Sequence, residues 1–173
     1  MLRTMFVTAS CLLAAGPGLA LQTLPPVDFS GTWVLDASRS DLPERGAGPR
    51  ATPLDTQDQQ ATLLVIQQSA TEIIILRDGL RGTGKSVLPL DGRETQRRGP
   101  RGGTLTLKSR WEGATLVTEG SQVVERPEGG PVTVTVREER SLGPDGLTLT
   151  VMTVSKGPTG EMRRRLVFRK KAE

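Results

Sequence analysis

At 173 residues the chain has the length of one ordinary domain, enough for a single buried core. Gly 20 and Pro 12 are high for that length while aromatic residues stand at 3%, a balance that favours short strands and turns over helices. His 0 and Tyr 0 remove the commonest general base, the commonest zinc and iron ligand and the phenol of several acid roles, and the formal charge of +4 is a modest excess.

The chain opens on what reads as an export signal. Arg3 supplies the positive start, MFVTASCLLAA the apolar run, and Gly18-Leu19-Ala20 a small-any-small cleavage site, which predicts a signal peptide over 1–20 and a mature start near Leu21. The run is too short to span a bilayer, and no later stretch approaches the necessary ~20 apolar residues, so no integral membrane span is expected. The expected address is periplasmic or secreted. Cys11, the only cysteine, falls within the removed segment, leaving no disulfide, thiol nucleophile or cysteine metal ligand; no metal and no cofactor are expected. Lipidation of Cys11 is the alternative, carried by a poor lipobox in VTAS.

A linker over 21–27 leads into a single β domain over 28–173. In FSGTWVLD, Phe29, Gly31, Trp33 and Leu35 alternate with polar or outward positions, which predicts a half-buried strand. From 37 to 60 no apolar period is present, and the stretch reads as a long loop with one helical turn at ASRSDL. Strands then follow at regular spacing: ATLLVIQQ, TEIIILRD, KSVLPLDG, GTLTLKSRW, ATLVTEGSQVV, PVTVTVREERS, LTLTVMTVS and EMRRRLVFRKK. WEGA, LGPDG and KGPTG supply turn chemistry between them, so neighbours pair antiparallel. The fold class expected is all-β, an antiparallel up-and-down meander barrel of about eight to ten strands, because closure removes aggregation-prone edges.

Gly79 to Ser86, GLRGTGKS, spells a Walker A motif after an apolar strand. A phosphate-binding loop needs a helix directly after its Lys-Ser, so that backbone N–H groups converge on the anion. Here Lys85-Ser86 runs into VLPLDGRETQRRGPRGG, with Pro89 close behind, so the motif reads instead as a glycine-rich hairpin turn between TEIIILRD and KSVLPL. Positive charge gathers in GRETQRRGPRGG (Arg93, Arg97, Arg98, Arg101) and in the tail RRRLVFRKK, but neither carries the interleaved aromatics that stack on bases, so no nucleic-acid partner is expected.

FSGTWVLD at the start of a meander barrel resembles the calycins, the lipocalins and fatty-acid-binding proteins. The chain is most similar to small exported lipocalin-like bacterial proteins that begin FSGTW. The resemblance implies that Gly31 permits close strand approach at the closed end and that Trp33 plugs that end, packed under an arginine from near the C-terminus, Arg164 or Arg169. It also implies an internal ligand. Fatty-acid-binding proteins end in an Arg-any-Tyr pair that holds a carboxylate; Leu166 and Phe168 stand there in this chain, with Arg164 two residues earlier on the same strand face. The loop 37–60 is too rich in Gly and Pro for the two helices that close their barrel mouth.

Alternation places Leu107, Trp111, Val134, Val136, Leu149, Val151, Leu166 and Phe168 inside the barrel. They either line a cavity for a small hydrophobic or amphipathic anionic ligand, with Trp111, Arg164, Leu166 and Phe168 as the binding residues, or fill the barrel themselves. A monomer is expected. The competing reading is a cell-envelope interaction protein that uses its basic surface without an internal ligand. Catalysis is not expected: Glu138 and Glu139 point to opposite faces of a strand, and Asp55 and Asp58 lie in a polar loop.

Overall fold

The computed structural model describes residues 25–42, 61–79, 82–98, 104–126, 130–158 and 160–172. The stretch 1–20 read as a signal peptide, with Cys11, most of the stretch read as a linker, positions 43–60 of the long loop with Asp55 and Asp58, and Arg101 lie outside them. Ten strands are present: β1 (Gly31–Leu35), β2 (Ala61–Gln68), β3 (Glu72–Gly79), β4 (Gly82–Pro89), β5 (Glu94–Arg98), β6 (Thr104–Glu112), β7 (Thr115–Arg126), β8 (Gly130–Leu142), β9 (Thr148–Gly157) and β10 (Gly160–Lys170). They form one antiparallel sheet in the order β4-β3-β2-β1-β10-β9-β8-β7-β6-β5. Sequence neighbours pair throughout except β4 with β5, and β1 joins β10, so the meander curls into a nearly closed barrel whose two edges are β4 and β5.

Alternation decides which side chains enter. In β9, Leu149, Val151, Thr153 and Ser155 are buried while Thr150, Met152 and Val154 between them are half-exposed. The main core gathers at the end of the barrel where β1 begins, and holds Phe29, Trp33, Leu64, Ile75, Leu166 and Phe168 among others. Trp33 is 0% exposed, and its indole Nε1 donates to the Phe29 carbonyl at 2.9 Å. The segment ahead of β1 is tied across this end by Gln68, whose Oε1 accepts from the Phe29 amide at 3.0 Å and whose Nε2 donates to the Val27 carbonyl at 2.6 Å. Trp33 is thus buried at this end of the barrel, which is where a plug would sit.

Its cationic partner differs from expectation. Neither Arg164 nor Arg169 lies over the indole; register sets Lys170 opposite Trp33, and the Lys170 Nζ sits 5.4 Å from the ring centroid. Gly31 makes room for it. A Cβ at Gly31 would stand 2.7 Å from the Lys170 Cε, and the backbone φ of 132° admits only glycine comfortably.

Two local expectations are corrected. GRETQRRGPRGG, read as a basic turn region, contributes β5, with Glu94 opposite Lys108 and Thr95 opposite Leu107. A strand with almost no apolar residues forms because β6 supplies its ladder, a case of context overriding propensity. The glycine-rich hairpin between β3 and β4 is tighter than expected: Gly79 pairs with Gly82, so Lys85 lies within β4, exposed on its outer face opposite Leu76. The helical turn foreseen at ASRSDL is a short 3-10 turn at Ala37–Arg39.

The outer face of β6 to β8 is laced by ion pairs. Arg137 reaches Glu112 and Glu139 at 2.7 Å each and also Glu119, while Arg110 reaches Glu112 and Glu119 at 2.5 Å. Val117, between Arg110 and Glu139 in the register, is 0% exposed beneath this lattice although it points outward. Hydrogen bonds from Arg137 and Arg110 hold the Glu112 and Glu119 carboxyls below their ordinary value of 4.5.

Trp33→Ala is expected to cost about 3–5 kcal/mol, measured by denaturant unfolding, because it empties the plugged end; melting within a degree or two of the parent would refute the plug. Lys85→Ala is expected to change stability by less than ~0.5 kcal/mol and to leave calorimetric titration with ATP flat, as in the parent. The lattice carboxylates have depressed folded pKa values, so their stabilisation is complete above the ordinary value of 4.5 and drains away as pH falls through the lower folded values. A melting-temperature series from neutral pH to pH ~3 should show Glu119→Gln below the parent at neutral pH, with the gap closing in acid.

Candidate binding site in the barrel interior

The inner wall is built in rows, each a set of side chains brought level by strand register. Nearest Trp33, Phe168 on β10 lies level with Leu149 and Leu142. The next row runs Leu166, Val151, Arg140, Leu116, Trp111 from β10 to β6. The row beyond is polar in every member: Arg164, Thr153, Glu138, Thr118, Ser109. Past it come Ser155, Val136, Gly120 and Leu107, then Val134, Gln122 and Leu105. The last rows carry a second apolar cluster of Leu105, Leu107, Val124, Val134 and Val136.

All four residues read from the sequence as ligand-binding thus share one inner surface. Leu166 and Phe168 are buried in the main cluster, Arg164 is half-buried in the polar row, and Trp111 is half-buried, stacked parallel on Phe29 at 5.6 Å between centroids. Gly31 and Trp33 lie at the end of the barrel where β1 begins, away from that row.

Buried polar groups lie beyond the four ligand-binding residues read from the sequence. Glu138 and Arg140, two apart on β8 and hence on one face, form an ion pair with side chains 8% and 2% exposed. Ser109 and Thr118 share a hydrogen bond at 3.0 Å, and Arg77 on β3 donates from Nη1 to the Ser86 hydroxyl of β4 at 2.9 Å. The signal for the β8 pair was present: in PVTVTVREERSL, Glu138 and Arg140 are in phase with Val134 and Val136, so the period that sends the valines inward sends the charges with them. Glu138 and Glu139 do point to opposite faces, as expected, with Glu138 inside.

Buried ionic groups are costly unless paired, and an aliphatic pair of similar size would usually stabilise a barrel better. What the arrangement offers chemically is hydrogen bonding and positive charge between two hydrocarbon zones. Among the described residues, no cluster of His, Cys, Asp and Glu is placed to hold a metal ion, and no helix is long and apolar enough to cross a membrane. Grooves mark the outer face of the described residues. One of about 710 Å³ runs over β5 to β10 between charges of both signs, among them Glu94, Lys108, Glu139 and Lys156. Another, about 370 Å³, lies over β2 to β4 beside Leu63, Leu76 and Lys85.

No protein-family model and no curated protein matches the chain. Solved structures do. A structure described as REP1-NXSQ fatty acid transporter aligns with TM-score 0.54 at 13% identity, over 83% of this chain and 96% of its own. Zebrafish ileal bile acid-binding protein complexed with cholic acid aligns with TM-score 0.53 at 13% identity, over 83% and 98%. Human cRBP IV aligns with TM-score 0.53 at 16% identity, over 84% and 100%. At these identities the likeness is one of fold: among the described residues the chain forms a ten-stranded, nearly closed antiparallel barrel, the fold it shares with these structures.

Proposed function

We propose that the protein is an exported, monomeric binding protein that sequesters a small amphipathic molecule with an anionic head inside its barrel, and that it is not an enzyme. The observation that carries this reading is the polar row with Arg164 set between two apolar clusters on one inner wall. Such a wall matches a guest with a charged head and hydrocarbon on either side of it: the Arg164 guanidinium pairs with the head, and Trp111, Leu166 and Phe168 cover the apolar body. Two of the similar structures are named for fatty acid transport and bile acid binding, which supports an apolar guest. The stretch 1–20, read above as an export signal, supports a periplasmic or secreted address. Beyond that signal the chain has no His, Cys or Tyr, which supports sequestration over conversion.

An apolar fluorescent probe is expected to bind the folded protein stoichiometrically and to be displaced by long-chain anionic lipids. Arg164→Leu should weaken the anionic competitors by at least about tenfold, the worth of a hydrogen bond to a charged group, while neutral competitors change little. If the folded protein takes up no probe, the binding reading falls. Contact of its basic outer face with anionic envelope polymers then becomes the better reading, checked by salt-sensitive sedimentation with envelope fractions.

A further inference from the structure

We infer that the barrel interior carries a second polar anchor at Gln122, and that the guest is a long-chain acid bearing a hydroxyl partway along its chain. This rests on the binding reading above and narrows its ligand class. Gln122 is 1% exposed, and both its Nε2 and its Oε1 are buried with no hydrogen-bond partner among the described residues. Its row neighbours are Leu105 and Val134, and the rest of that cluster, Leu107, Val124 and Val136, is hydrocarbon. A primary amide has two N–H donors and a carbonyl acceptor, and leaving all of them unmet inside hydrocarbon is costly. A second unmet group lies in the polar row. The Glu138 Oε1 is engaged by Arg140, while its Oε2 is buried with no hydrogen bond among the described residues.

The chemistry of these atoms selects among guests. A carboxylate only accepts, so it can meet Nε2 of Gln122 but neither Oε1 of Gln122 nor Oε2 of Glu138. An ammonium only donates, and a ketone only accepts. A hydroxyl does both, and is the smallest group that serves both ends of the amide. Spacing supplies the rest. Thr118, level with Glu138, and Gln122 lie on the same face of β7, and at ~3.3 Å per residue they stand about 13 Å apart along the strand. A guest whose carboxylate meets Arg164 in the polar row therefore brings the middle of its chain, not its head, to Gln122.

Stearate and 12-hydroxystearate, titrated calorimetrically into the protein, separate the possibilities. The parent should bind 12-hydroxystearate about tenfold more tightly than stearate, the usual worth of a buried hydrogen bond. Gln122→Leu should abolish or reverse that preference while stearate binds as well or better. The variant should melt at or above the parent temperature, since an apolar side chain replaces an unsatisfied amide; Gln122→Met serves as a second replacement should Leu disturb the fold. Equal affinity for the two acids in the parent overturns the assignment, as does a preference that survives both replacements. If neither acid binds, the binding reading and the Gln122 anchor fall together; if both bind equally, the anchor alone falls.

Discussion

The seam between β1 and β10 decides whether this chain is a barrel or a long wet ribbon. Every other pairing in the sheet joins strands adjacent in sequence, most of them through short turns that cost little entropy to close. The seam joins segments 133 residues apart at Arg169 and Asp36, with only Trp33, Val34 and Leu35 in register against Lys170, Arg169 and Phe168. It is correspondingly reinforced. The Asp36 amide donates to the Val167 carbonyl and the Lys171 amide to the Thr32 carbonyl, each at 2.8 Å. The Ser40 hydroxyl accepts from the Val167 amide at 2.9 Å, and the Asp36 carboxylate accepts from Arg169 at 2.7 Å. The Ser38 hydroxyl and then Arg169 hold that carboxyl below its ordinary range, so the pairing is in its ionised form at neutral pH. At the same end the exposed Lys170 lies over the buried Trp33 ring.

Once the seam closes, each strand has an inside and an outside, and the identity of every alternate residue acquires a cost. Filling the inside with hydrocarbon would be cheapest, and near Trp33 that is what is found. The interior departs from it where Arg164, Thr153, Glu138, Thr118 and Ser109 line up, with Arg140 one row nearer the plug and Gln122 beyond. Desolvating this many polar groups is not explained by folding stability, which an aliphatic row would serve better. The belt is therefore the part of the core on which the proposed binding function rests.

Strand count and antiparallel pairing were legible in the sequence because each has a local signature: period-two alternation, and glycine and proline at reversals. β5 was hidden because ETQRR has no hydrophobic face of its own, and its strand character is lent by β6. Register was hidden too. Assigning the cation over Trp33 needs to know that Lys170, not Arg169, falls opposite it, and alternation alone cannot place one strand against another. The failure of the Walker motif was legible for the opposite reason, since a helix cannot follow Lys85 in a stretch that the sequence itself breaks with Pro89. The interior charges were in plain phase with Val134 and Val136, but a pattern search that treats charge as outward-facing passes over them.

That phase has a structural consequence. In Val136-Arg137-Glu138-Glu139-Arg140 the backbone sorts a dense run of charge onto two faces, so that Glu138 pairs with Arg140 inside while Arg137 pairs with Glu139 outside. The same division holds one strand over, where Thr118 joins the inner belt and its neighbour Glu119 joins the outer lattice. The two networks thus lie back to back across one sheet thickness. The outer one links β6, β7 and β8 laterally and is open to screening by salt; the inner pair of Glu138 and Arg140 is buried and is screened less. A polar site gains selectivity only where its groups are held in place, and here the wall that presents the belt is braced from behind by ion pairs that never touch its interior.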